Sequence, residues 1–95
     1  MVWARTMPQM SWTFNANGHE LQFRSTWLGV KEAVFYDGRE VASGLSLGGG
    51  TYSFRVCENG QDARYEIAAR TAFGAGTTTV SLKRNGRLIA SETTH

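Results

Sequence analysis

The 95-residue sequence predicts an all-β fold, an eight-stranded antiparallel β-sandwich of two four-stranded sheets. Three observations predict it: four Asx-Gly pairs, alternating apolar residues on both sides of each pair, and an internal repeat. No segment carries a sustained apolar period of about 3.6 residues, so no helix is expected. A closed antiparallel barrel is the structural alternative, because hairpin pairing alone does not determine how sheets close.

The four Asx-Gly pairs are typical of two-residue type I′ turns, whose central residues both need positive φ. They are Asn17-Gly18, Asp37-Gly38, Asn59-Gly60 and Asn85-Gly86. Residues equidistant from each turn should then face one another on the same side of the sheet. The expected apolar pairs are Phe14 with Leu21, Trp12 with Phe23, Val34 with Val41, Val56 with Ala63, Phe54 with Tyr65, Tyr52 with Ile67 and Leu82 with Ile89.

These turns divide the chain into eight short strands joined by glycine-containing links at 28–30, 48–50 and 74–76. The expected strands are approximately 10–16, 19–27, 31–36, 39–47, 51–58, 61–73, 77–84 and 87–92. A length of 95 residues is typical of one domain, here residues 1–95.

An internal repeat divides this domain into two related halves, approximately 10–47 and 51–92. "YDGREVAS" (36–43) matches "RNGRLIAS" (84–91), and "ELQFRSTW" (20–27) matches "EIAARTAF" (66–73). The match places Trp27 and Phe73 at equivalent sheet ends, where both are expected to close the core. Each half then forms one sheet, and the two apolar faces bury each other.

The order of these motifs resembles the Fas apoptotic inhibitory molecule family. The matching features are Trp12, "HELQF" (19–23), "FYDGRE" (35–40), "TYSF" (51–54) and "RNGRL" (84–88). The resemblance covers nearly the whole chain and implies an intracellular, non-enzymatic β-sandwich that acts by contact with other proteins. It assigns no partner-binding residue to this chain.

Composition and charge indicate a cytoplasmic protein without a nucleic-acid partner. The net charge is +2 and the pI about 9.0, with the basic residues spread among eight acids. Most of the aromatic residues are expected to face inward, away from the arginines, which disfavours nucleic-acid binding. No signal peptide or membrane-spanning segment is expected, and the lone Cys57 cannot form an internal disulfide.

No residue constellation indicates catalysis, a metal or a cofactor. The histidines are His19 and His95, and Glu20 beside His19 should point to the opposite face of its strand. The glycines of "SLGGGTYS" (46–53) lead into a strand, whereas a phosphate-binding loop leads into a helix. We therefore expect a protein that is not an enzyme.

Two sets of residues are candidate binding sites. Phe35 and Leu88 should lie outside the core, opposite Glu40 and Lys83, and are a candidate surface for an unidentified protein partner. Arg55 should lie opposite Arg64 on an outer face. The two arginines are together a candidate anion contact, unless the neighbouring acids Asp62 and Glu66 neutralise them. The sequence thus predicts a protein-interaction module or, alternatively, a binder of a small anionic or carbohydrate ligand.

Overall fold

A computed structural model describes residues 9–26, 31–45 and 49–94, which form two four-stranded antiparallel sheets. The strands are β1 (Gln9–Ala16), β2 (His19–Thr26), β3 (Lys31–Tyr36), β4 (Arg39–Leu45), β5 (Thr51–Glu58), β6 (Gln61–Ala72), β7 (Thr77–Arg84) and β8 (Arg87–Thr94). Each sheet is a meander, β1-β2-β3-β4 and β5-β6-β7-β8. Among the described residues no strand pairs across the two sheets, so the predicted sandwich is confirmed and the barrel alternative is wrong.

All four Asx-Gly pairs form the predicted turns. Asn17, Asp37, Asn59 and Asn85 have φ between 49° and 55°, and the glycine after each also has positive φ. These are the left-handed values that a type I′ turn requires. The predicted registers of the first and third hairpins are confirmed, with Trp12 opposite Phe23 and Phe54 opposite Tyr65.

The second and fourth hairpins each contain an irregularity that the sequence prediction missed. Val34 lies opposite Ala42 and Leu82 lies opposite Ala90, so the expected partners Val41 and Ile89 are displaced. In both hairpins the register shifts by one residue after the second pair from the turn. A β-bulge adds one unpaired residue to one strand, which explains both shifts. Its recurrence at the same place supports the internal repeat.

The core lies between the inner faces of the two sheets. Tyr36 of β3 contacts the rings of Phe54 and Tyr65 across the sandwich, at centroid distances of 5.9 and 5.8 Å. Phe73 does not close the core as expected: it lies in the β6–β7 turn and is 64% exposed. Its expected counterpart Trp27 lies outside the described residues.

Candidate functional site

A buried glutamate joins the two sheets beneath the Asx-Gly turns. Glu58, the last residue of β5, has a side chain with no exposed surface. Its Oε2 accepts hydrogen bonds from the hydroxyls of Tyr36 (2.5 Å) and Tyr65 (2.6 Å). Its Oε1 accepts from Arg84 Nη2 (2.8 Å), Arg84 Nε (3.2 Å) and Asn17 Nδ2 (3.2 Å). We call these five residues the Glu58 network.

The Glu58 network keeps a buried carboxylate ionised. Burial by itself raises the pKa of Glu58, but the hydrogen bonds from Tyr36, Tyr65, Arg84 and Asn17 outweigh it and lower the pKa to about 2. The pKa of Tyr36 is raised by burial and by its bond to Glu58, so this hydroxyl remains a donor. The network therefore carries a stable charge pair rather than a group poised to exchange protons near neutral pH.

This network fixes the position of the β7–β8 turn. Arg84, the last residue of β7, directs two nitrogens to Glu58 and lies 5.9 Å from the centroid of the Tyr65 ring. The next residue, Asn85, accepts a hydrogen bond from the Arg64 backbone N–H through Oδ1 (2.9 Å). The turn is thus held from below by a buried ion pair and from the side by β6.

The turn presents a surface that is both basic and apolar. We define the β7–β8 surface as Arg84, Asn85, Arg87, Leu88 and Ile89. Leu88 is 57% exposed and Ile89 is 42% exposed. Four of the five residues, Arg84, Asn85, Arg87 and Ile89, line an open cleft of about 390 Å³, and Leu88 lies opposite Lys83 on the outer face of the strand. A cation beside exposed aliphatic side chains can engage both the charge and the apolar parts of a ligand.

The structure confirms the predicted opposition of Arg55 and Arg64. They are cross-strand partners on β5 and β6, and both are exposed. Within the described part of the chain, neither Asp62 nor Glu66 comes within the 4.0 Å of an ion pair with either guanidinium. Two like charges therefore lie side by side on the outer face of the second sheet.

Phe35 and Leu88 do not form one surface. Phe35 lies opposite Glu40 and Leu88 opposite Lys83, as predicted, but Phe35 belongs to the first sheet and Leu88 to the second. The outer faces of a sandwich point in opposite directions. Moreover, the Arg24 guanidinium covers the Phe35 ring, 4.1 Å from its centroid. Leu88 is the more accessible of the two.

His19 and Cys57, two polar residues considered for chemistry, lie in different sheets, and His95 lies outside the described residues. His19 Nδ1 lies 2.7 Å from Asp37 Oδ2 rather than near Glu20, and links the first two turns. Cys57 is exposed. Among the described residues, no three His, Cys, Asp or Glu side chains are grouped to hold a metal ion.

Sequence reasoning missed Glu58 and a second buried acid, Glu32, which accepts a hydrogen bond from the Tyr52 hydroxyl (2.5 Å). The two-residue alternation of inward and outward positions indicated that both acids face the core. Glu58 follows Phe54 and Val56 at two-residue spacing, which places it on the inner face of β5. Glu32 likewise shares the parity of Val34. An acid at a core position indicates a buried polar network.

Comparisons with known proteins give no relative. No family model, no curated protein and no solved structure matches the chain. The resemblance to the Fas apoptotic inhibitory molecule family therefore stays a prediction. In the described part of the chain, no helix has the length and apolar character needed to cross a membrane.

Proposed function

We propose that the protein is a non-catalytic interaction module that binds an extended acidic segment of a protein partner along β8. The observation that carries the proposal is the β7–β8 surface, where Leu88 and Ile89 are exposed beside Arg87. Exposed aliphatic residues beside a cation fit a segment that has both apolar and acidic side chains.

The edge position of β8 favours an extended ligand. Among the described strands β8 pairs with β7 alone, so none of them uses the backbone groups on the other side of β8. Among the described residues, the first sheet bonds to β8 through one side-chain contact, from Trp12 Nε1 to Thr94 Oγ1 (3.0 Å), at the far end of the strand. An exposed edge can accept a further strand, whose main chain supplies hydrogen bonds while its side chains supply specificity.

The charge of the fourth hairpin favours an acidic ligand. Residues 84–91 contain two arginines and no acid, a net charge of +2, whereas the equivalent residues 36–43 contain two acids and one arginine, a net charge of −1. Arg84 is balanced by Glu58, but Arg87 has no carboxylate within ion-pair distance among the described residues. Arg87 is therefore a cation that the fourth hairpin offers to a partner.

Fluorescence anisotropy with labelled acidic and basic peptides of alternating apolar residues tests the proposal. The acidic peptide should bind more tightly, and added salt should weaken it. Arg87→Glu should weaken binding about fivefold or more, since it replaces an attraction by a repulsion. Arg39→Glu, at the equivalent position of the second hairpin, is the matched control and should leave binding unchanged. Equal binding of both peptides, or equal loss in both variants, would contradict the proposal.

Variants at Leu88 and Phe35 show which of these two apolar residues belongs to the binding site. Leu88→Asp should weaken the acidic peptide, because it removes apolar contact and adds repulsion. Phe35→Asp should have no effect on that binding, since Phe35 lies on the other sheet. A larger loss for Phe35→Asp would move the site to the first sheet.

A second candidate function is the binding of a small anion by Arg55 and Arg64, favoured by their direct opposition without an acidic neighbour in ion-pair distance among the described residues. Titration of ¹⁵N-labelled protein with phosphate should shift the amides around both arginines. Arg64→Gln should abolish the shifts. An absence of saturable shifts at either arginine would exclude this function.

The cytoplasmic location belongs to the same proposal and is supported by the single Cys57, which leaves no internal disulfide. Fractionation of cells that express a tagged chain tests it. An apoptotic role is not included, because function depends on sites and not on a fold.

A further inference from the structure

We propose that the extended segment recognised by β8 is β8 of a second copy of this chain, which supplies Glu92 as its acidic side chain and pairs antiparallel to form a two-fold symmetric dimer. The inference rests on the proposed function and names the partner of the same surface. In this dimer Arg87 of each copy lies opposite Glu92 of the other. The second sheets of the two copies join into one continuous sheet, an isologous arrangement.

The faces of β8 are compatible with this pairing. Arg87 lies opposite Arg84 and Glu92 opposite Val80, and both neighbours point into the sandwich. Arg87 and Glu92 are five residues apart and would ordinarily point to opposite faces. The bulge at Ile89 adds one residue between them and brings both to the same face. Cross-strand ion pairs need this arrangement.

Both charges are available for a second copy. Arg87 and Glu92 are exposed, and neither forms an ion pair within the described part of the chain. An antiparallel register centred between Ile89 and Ala90 produces both Arg87–Glu92 contacts at once. In the same register Leu88 lies opposite Ser91 of the other copy, on the outer face.

The equivalent edge strand of the first sheet lacks this complementarity. β4 has Arg39 where β8 has Arg87, but Gly44 where β8 has Glu92. It also has Glu40 in place of Leu88. Self-pairing of β4 would therefore leave Arg39 without an acidic partner, so dimerisation through β8 alone is expected.

A single strand edge makes a small interface. Pairing of one eight-residue strand buries less than the roughly 1,200 Å² of standard stable interfaces, so the dimer should be weak. We expect a dissociation constant between about 1 µM and 1 mM. The equilibrium should shift towards monomer as salt is added.

Sedimentation equilibrium of the full chain over a wide concentration range tests the inference by charge reversal. Arg87→Glu and Glu92→Arg should each raise the dissociation constant about tenfold or more, because each places like charges together at both ends of the interface. An equimolar mixture of the two variants should recover about half of the wild-type dimer content where most chains are monomeric, since only the mixed pair places opposite charges together. Arg39→Glu and Glu40→Arg on β4 make the same changes in net charge and should have no effect.

The outcomes separate this inference from the proposed function. A chain that stays monomeric at all concentrations but binds acidic peptide would overturn the self-pairing and leave the peptide-binding module. A dimer that is unaffected by the β8 variants, or is not restored in the mixture, would also overturn it. A wild-type chain that neither dimerises nor binds the acidic peptide would overturn both proposals.

Discussion

Replacement of Glu58 by glutamine should show that the Glu58 network is the main polar link between the two sheets. Glutamine keeps the size of the side chain but loses the negative charge. That charge accepts hydrogen bonds from four residues, Tyr36, Tyr65, Arg84 and Asn17. The side chain has no exposed surface, so water cannot replace the lost interactions. The change also leaves the Arg84 guanidinium without its counter-charge.

The pKa of Glu58 provides the magnitude. A decrease from 4.5 to about 2 on folding, at about 1.4 kcal/mol per pH unit, corresponds to a contribution of about 3 kcal/mol to the free energy of unfolding. Because the folded-state pKa is lowered, this contribution is present above pH 4.5 and decreases as the pH falls towards 2. Removal of one partner of a buried pair costs about 3–5 kcal/mol. The Arg84 side chain is 29% exposed, which favours the lower value.

Urea denaturation at pH 7 and pH 3 measures the loss of unfolding free energy caused by Glu58→Gln and its dependence on pH. At pH 7, Glu58→Gln should lower the free energy of unfolding by about 3 kcal/mol and the melting temperature by about 12–24 °C. At pH 3 more than half of the deficit should have disappeared, because the wild-type protein has itself lost that part of the contribution. Glu40→Gln, an exposed acid on β4, is the control and should cost less than about 0.5 kcal/mol. A pH 7 deficit below about 1 kcal/mol, or an equal deficit at both pH values, would show that the ionised Glu58 does not stabilise the sandwich in this way.

Two further predictions concern the link before β5 and the second buried acid. Gly49→Ala should lower the free energy of unfolding by about 2 kcal/mol or more in chemical denaturation, because φ is +123° and an added Cβ would lie 2.0 Å from the Ala69 carbonyl oxygen. Gly74→Ala meets no atom within 4 Å and should change stability by less than about 0.5 kcal/mol; equal losses would contradict this explanation. Burial raises the pKa of Glu32, so its ionisation makes the folded state less stable as the pH rises above 4.5, despite the opposing hydrogen bond from Tyr52. Glu32→Gln should therefore gain stability relative to wild type between pH 4 and pH 8 in urea titrations, and a relative loss over that range would contradict the assignment.

Turn chemistry and alternation predicted most of the fold. Each Asx-Gly pair determines a turn and hence a register, which correctly placed Arg55 opposite Arg64 and Leu88 opposite Lys83. The bulges at Val41 and Ile89 were not predicted because an extra residue in a strand leaves no distinct local pattern. They change which residues face the core without changing the number of strands.

The candidate site was predicted only in part. Leu88 was identified, but its expected companion Phe35 lies on the other sheet. This separation follows from the prediction that each half of the repeat forms one sheet. The Glu58 network could not be read from local sequence, since its members come from three strands of one sheet, one strand of the other and the first turn. Only the inward parity of Glu58 indicated that such a network exists.

The most direct test of binding through β8 is to map the ligand-contacting amides of ¹⁵N-labelled protein during titration with the acidic peptide. Saturable shifts are expected along β8 and around the β7–β8 turn, centred on Arg87 and Leu88, with β4 unaffected. Dilution of the labelled protein without peptide should change the same amides if two copies pair through β8. Shifts centred on the first sheet, or no saturable shift at any concentration of peptide, would contradict the claim that the protein works through this surface.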